Sequence, residues 1–251
     1  MFQKRIIPIL LISNRRGVKS FKFKERMYIG DPLNIIRIFN EKEVDEFIVI
    51  DADKSTQKQK PDFQFISELS GECFMPLSYG GGIKSLEDAK KIINLGIEKL
   101  SIQSLFFNSR KEFDKIIDYF DSSSVILSID LFEYNNDIYI YDYNTSKFHN
   151  KLDKNFIFYL KQSGAGEILF NFVNYDGMKI GLNKFLLNKI LSYEIEIPFI
   201  FSGGAKDFND LSQCFKLGAM ALAGSAIFSL HGKLNGVLID YPSQKDIDRD
   251  I

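Results

Sequence analysis

The sequence predicts an α/β fold, a (β/α)8 TIM barrel built from two similar halves. Three observations carry that expectation. Short apolar, β-branched runs alternate with amphipathic stretches along the chain. One glycine-bearing turn occurs twice, about half a chain apart. The 251 residues match the roughly 200–250 of a single α/β barrel, so one domain covers residues 1–251.

The expected strands are Ile6–Leu11, Phe47–Ile50, Phe74–Tyr79, Lys99–Ile102, Val125–Asp130, Glu167–Phe172, Phe199–Ser202 and Ala221–Ala223. Between them Pro32–Phe39, Leu86–Leu95, Phe113–Phe120, Phe156–Gln162, Lys184–Leu191 and Phe208–Leu217 show the i, i+3, i+4 apolar spacing of helices with one buried face. Gly96, Gly164 and Gly218 stand where helix C-caps belong. Strands separated by helices pair in parallel, and eight such units suggest closure; an open doubly wound sheet is the alternative. Residues 133–150 break the rhythm. They are rich in Tyr and Asn, with turn signals at Asn135-Asn136-Asp137 and Asn144-Thr145-Ser146, and read as a hairpin inserted after the fifth strand. It is either a lid over the barrel mouth or a plain exposed hairpin.

A shift of 122 positions moves Pro76 onto Pro198, Gly81 onto Gly203, Gly82 onto Gly204, Lys84 onto Lys206, Asp88 onto Asp210 and Gly96 onto Gly218. Two matched halves of four βα units fit a half-barrel repeat. The glycines follow strands three and seven, at the C-terminal face where barrel active sites lie. Glycine there lets backbone N–H groups approach an anion. Ser104 and Ser225 close the next strand in each half. Two phosphate cradles on opposite sides of one mouth are the functional reading, and tight βα turns with no ligand are the plain one.

Composition narrows the classes. A net charge of −1 gives no footprint for nucleic acid or an anionic membrane, and no apolar run approaches the ~20 residues of a membrane span. The N-terminal apolar run is too brief for a signal peptide and reads as the first strand. Cys73 and Cys214 are too few for a disulfide framework or a metal cluster and suit a reducing cytoplasm. Asp51 and Asp53 read as loop acids rather than metal ligands, and His149 and His231 as surface or loop residues. The charged tail from Ser243 to Ile251 reads as frayed. Neither a metal nor a cofactor is expected.

Lys4-Arg5-Ile6-Ile7, Gly30-Asp31-Pro32, Tyr79-Gly80-Gly81-Gly82-Ile83, Ser128-Ile129-Asp130, Gly164-Ala165-Gly166-Glu167-Ile168-Leu169, Asp176-Gly177 and Ser202-Gly203-Gly204-Ala205 together form a specific motif set. Over about its first 230 residues the chain resembles the cyclase subunit of imidazole glycerol phosphate synthase. The resemblance implies a lyase of histidine biosynthesis. Ammonia from a glutaminase docked at the N-terminal face passes through the barrel to a bis-phosphorylated substrate at the top. It implies an ammonia gate of Arg5, Glu46, Lys99 and Glu167, for which a simple salt-bridge plug is the alternative. The implied phosphate- and substrate-binding residues are Lys19, Gly81, Gly82, Gln103, Ser104, Asp176, Gly177, Gly203, Gly204, Gly224 and Ser225. No glutaminase signature lies in this chain, so the ammonia comes from a separate polypeptide.

The family uses two aspartates as general acid and base, at the ends of strands one and five. Asp130 is in place, but Leu11 occupies the other position, and leucine carries no proton. Gln103, Met178 and Asn183 also depart from the pattern, as does Phe148-His149-Asn150 near the end of the inserted hairpin. Scaffold, cradles and gate are kept while the reacting centre has changed. This resembles a paralogous subgroup associated with surface-polysaccharide (lipopolysaccharide) gene clusters, which works with a glutaminase and an amidotransferase to place an amidino group on an acetamido sugar. Three functions stay open: an ammonia-accepting synthase subunit acting on a sugar or sugar nucleotide, an authentic cyclase that tolerates Leu11, and a non-catalytic scaffold that activates a glutaminase.

Overall fold

The computed structural model describes residues 4–232 and 234–242, the side chain of His149 excepted, so the tail expected to fray lies outside the described residues. Eight parallel strands form the barrel: Arg5–Ser13, Phe47–Asp51, Leu77–Gly80, Lys99–Ile102, Val125–Tyr134, Glu167–Phe172, Phe199–Ser202 and Ala221–Gly224. Each pairs with the next, and the last pairs back onto the first, from Arg5 opposite Ala221 to Pro8 opposite Gly224. That closure removes the open-sheet alternative.

Period-two alternation divides each strand between two environments. On the first strand Ile6, Leu10 and Ile12 join the large apolar cluster between barrel and helices. Ile7 joins a second cluster with Ile48, Ile126, Leu169, Ile200, Ala221 and Ala223, against which Ile9 and Ile50 pack; every member lies on a barrel strand. The second cluster is the barrel's filled interior. The helices start where their caps dictate: Asp31, Ser85, Asp153, Asn183 and Asp207 each accept a backbone N–H from their own first turn.

The two halves repeat in structure. Asp88 accepts the N–H of Lys84 at 3.1 Å, and its counterpart Asp210 accepts that of Lys206 at 3.3 Å, so each glycine turn is tied to the helix behind it by the same contact. Gly96 and Gly218 both take positive φ, +94° and +110°, after their helices.

Several elements differ from the sequence reading. The third strand begins at Leu77 rather than Phe74, which is 86% exposed; Pro76 cannot donate to a ladder and marks the true start. Phe63–Glu72 is a helix that buries Phe65, Ile66 and Leu69, and it was not expected. His231 lies in a two-stranded pairing of Leu230–His231 with Gly236–Val237. The first barrel strand runs on into an unexpected hairpin, Arg16–Phe21 paired with Glu25–Gly30. The inserted hairpin is present: Asp137–Asp142 and Lys147–Lys151 extend from the fifth barrel strand. The two hairpins meet in an aromatic cluster of Phe23, Phe132, Tyr141 and Phe148.

Candidate active site

At the C-terminal ends of the strands lies a cavity of about 230 Å³. Of the residues singled out in the sequence it gathers Lys19, Gly81, Gly82, Gln103, Ser104, Asp130, Asp176 and Ser225, with Leu11 in the same wall. Gly177, Gly203, Gly204 and Gly224 are not in its wall. They stand behind it, where an added Cβ would meet Phe172 O at 2.6 Å from Gly203 and Tyr175 Cβ at 2.9 Å from Gly204. The first cradle therefore faces the cavity with its glycines, the second with Ser202 and Ser225.

Asp130 is central and 6% exposed. Gln103 Nε2 donates to its Oδ2 at 2.9 Å and Asn171 Nδ2 to its Oδ1 at 3.5 Å. Burial pushes its carboxyl up to about 7; the two donated bonds oppose the rise without cancelling it. Gln103, a departure from the family residue at that position, is thus a direct partner of the candidate base. Lys19 is buried, with Nζ 2.7 Å from Asp176 Oδ1, while Ser20 Oγ donates to Asp176 Oδ2 at 2.7 Å. The two residues expected to meet substrate independently are a pre-formed ion pair, and Lys22 N–H donating to Asp176 O holds the tip of the first hairpin beside it.

Sequence reasoning missed several polar cavity residues, Asn171 beside Asp130 among them. Asp51, read as a loop acid, is 5% exposed; burial raises its carboxyl to about 6, despite a bond from the N–H of Asp53. Ser55 accepts the N–H of Gly82 at 3.1 Å. Tyr143, from the inserted hairpin, lies beside Ser55 and Ser104, and burial raises its hydroxyl. Arg26, from the first hairpin, reaches Asp53 Oδ1 at 2.5 Å. Only Tyr143 had a signal, the Tyr-rich insert. Met178 is 38% exposed and outside the cavity wall, and Asn183 caps its helix and donates to Tyr175 Oη at 2.9 Å.

The glycine turns carry a first testable consequence. Gly81 has φ +125°, and an added Cβ would sit 2.5 Å from Asp51 O; Gly203 has φ +111°. Strain and collision act together, so Gly81→Ala and Gly203→Ala are each expected to cost about 2–4 kcal/mol, read as a lower urea midpoint at unchanged m.

At the opposite end of the barrel all four predicted ionic residues meet. Arg5 Nη1 lies 2.7 Å from Glu46 Oε1 and Nη2 bonds to Glu167 Oε1. Lys99 Nζ lies 3.5 Å from Glu46 and 3.3 Å from Glu167. Burial disfavours the Arg5 charge, but its bonds to Glu167 and Glu46 outweigh that and raise its pKa. Glu46 Oε2 is buried without a hydrogen-bond partner. Among the described residues no group of three or more His, Cys, Asp or Glu is placed to hold a metal, and no helix is long and apolar enough to cross a membrane.

A closed (β/α)8 barrel with a buried carboxyl at its C-terminal mouth has the architecture of a barrel enzyme. The family model described as histidine biosynthesis protein matches residues 5–233. A Pseudomonas aeruginosa chain named "Putative imidazole glycerol phosphate synthase subunit hisF2" is 41% identical over 250 residues, 99% of each chain. A Leptospira interrogans chain named "Putative imidazole glycerol phosphate synthase subunit HisF" is 38% identical over 98% of each. An Exiguobacterium chain named "Imidazole glycerol phosphate synthase subunit HisF" is 30% identical over 90% of this chain and 89% of its own. The chain belongs to the histidine biosynthesis protein family, as a divergent HisF-like synthase subunit.

Proposed function

We propose that this chain takes ammonia from a separate glutaminase bound at the N-terminal face of the barrel and adds it to a phosphorylated acceptor at the C-terminal mouth. The acceptor is a sugar or sugar nucleotide of surface-polysaccharide biosynthesis, and a sugar amidotransferase is a further partner. One observation carries the reading: the four-membered ionic ring is intact at one end of the barrel, while Leu11 lines the cavity that holds Asp130 at the other. The pair of proton carriers those strand ends would need is broken at Leu11, while the ionic ring at the N-terminal face is kept.

The physical case for conduction rests on polarity. Ammonia is small and neutral, so the apolar interior costs it far less than it costs ammonium. Glu46 Oε2 offers a vacant acceptor at the entrance. Ala221 and Ala223 contribute small side chains to the interior, and a pair of hydroxyls, Ser101 and Ser128 at 2.6 Å, lines the cavity together with Asp130. At the mouth, Gly81, Gly82 and Ser104 are suited to a phosphate, and Lys19 to balancing its charge. As the nitrogen lone pair bonds to a carbonyl carbon of the acceptor, the C=O π pair moves onto oxygen, and Asp130, ionised, takes a proton from nitrogen and returns it to that oxygen; Gln103 and Asn171 hold the carboxylate in place. The relatives named hisF2 and hisF3 carry numerals that set them apart from an unnumbered HisF, which fits a paralogue with its own acceptor.

The test is complementation of a histidine auxotroph lacking its cyclase subunit. The wild-type chain is expected not to restore growth. Growth would make the chain an authentic cyclase. A glutaminase that binds the chain, with product formation unaffected by Asp130→Asn, would instead make it a scaffold.

A further inference from the structure

A second cavity, of about 740 Å³, lies beside the first and falls in the ~300–1,000 Å³ range of small-molecule sites. The inserted hairpin, the short helix Ser104–Asn108 and the start of helix Lys154–Lys161 enclose it. Gln103, Ser104 and Tyr143 line both cavities, so the two adjoin at these residues. Phe107, 42% exposed, and Tyr159 supply rings to the second wall, and Asn108, Asn150 and Asn155 supply amides. The wall's one cation is engaged and its two carboxylates hold local backbone N–H groups. Lys151 pairs with Asp137 at 2.7 Å, Asp142 accepts the N–H of Asn144 at 2.9 Å, and Asp153 accepts that of Phe156 at 2.9 Å.

The one cation in that wall is paired, and its carboxylates accept O–H groups, so the wall disfavours an anion and suits a neutral ligand rich in hydroxyl donors. Each amide offers both donors and an acceptor, as a ring of hydroxyls requires, and aromatic rings cover the apolar face such a ring presents. We infer that the second cavity is a subsite for a neutral, polyhydroxylated sugar ring that the acceptor carries beyond its phosphate, reached past Tyr143. This rests on the reading of the first cavity as the phosphate site.

Calorimetric titration of the whole chain tests it with three probes: inorganic phosphate, N-acetylglucosamine 1-phosphate and the methyl glycoside of N-acetylglucosamine. The sugar phosphate is expected to bind at least tenfold tighter than phosphate. Phe107→Ala and Asn155→Leu, at exposed positions that the fold tolerates, are expected to erase most of that advantage and leave phosphate affinity unchanged. A sugar phosphate that binds no tighter than phosphate, or an advantage that survives both substitutions, overturns the subsite and leaves the phosphate reading standing. Binding of the glycoside but not of phosphate, sensitive to Phe107→Ala, keeps the subsite and removes the phosphate reading. Silence from all three probes removes both.

Discussion

Asp130→Asn is expected to lower ammonia-dependent product formation by about 10²–10⁴ while leaving the fold intact. Leu11 carries no proton, so Asp130 is the one acid–base group left at the paired ends of strands one and five. Its pH signature follows from burial. With the carboxyl held near 7, the ionised base is scarce in mild acid, so kcat/KM is expected to rise through about pH 7 and then level off. The variant has no such limb. The stability effect has the opposite sense. Asp130 binds its proton more tightly in the folded chain than in the unfolded one, so its contribution is fully present below the ordinary carboxylate pKa and is lost as pH rises through 7. Asparagine does not ionise. Melting temperatures measured from pH 4 to pH 8 are expected to show wild type losing ground to the variant as pH rises, which separates a lost base from a damaged fold.

Arg5→Ala is expected to be the most damaging change at the other end. It leaves Glu46 and Glu167 with Lys99 alone, at 3.5 and 3.3 Å. Removing one partner of a fully buried pair costs ~3–5 kcal/mol. The Arg5 side chain is 23% exposed, so about 2–4 kcal/mol is expected, a drop of roughly 5–10 °C in Tm. The functional consequence is asymmetric. Glutamine-driven turnover with the partner is expected to fall more than turnover driven by ammonium salt, because bulk ammonia also reaches the mouth directly. Equal losses under both nitrogen sources would reduce the ring to a salt-bridge plug.

The barrel was legible in the sequence because its signal is redundant: eight apolar runs, capped helices and a repeat that structure shows as paired Asp88 and Asp210 contacts. The first hairpin was not, and its turns explain why. Asn14-Arg15 and Lys22-Phe23 all take positive φ, a conformation usually signalled by Gly, Asn or Asp, yet three of the four are Arg, Lys and Phe. The inserted hairpin turns at Asn135-Asn136, which announced itself. Helix Phe63–Glu72 had a start signal in its N-cap Asp62, but Phe63, not among its buried residues, blurs the spacing of Phe65, Ile66 and Leu69. For the site, Asp130 and Leu11 followed from strand ends together with the family resemblance, whereas Asp51, also at a strand end, was read as a loop acid. Ser55, Arg26 and Tyr143 come from connections whose course the period of a strand does not dictate, and the Lys19–Asp176 pair joins residues 157 positions apart.

The most direct measurement supplies amide-15N glutamine, the chain with its copurifying glutaminase, and a small-molecule cell extract containing unlabelled ammonium. Products are then resolved by mass spectrometry. The label is expected in a phosphorylated sugar or sugar nucleotide, to vanish with Asp130→Asn, and to be absent from imidazole glycerol phosphate. Label in imidazole glycerol phosphate, or a product whose nitrogen comes only from the unlabelled bath, would contradict the account.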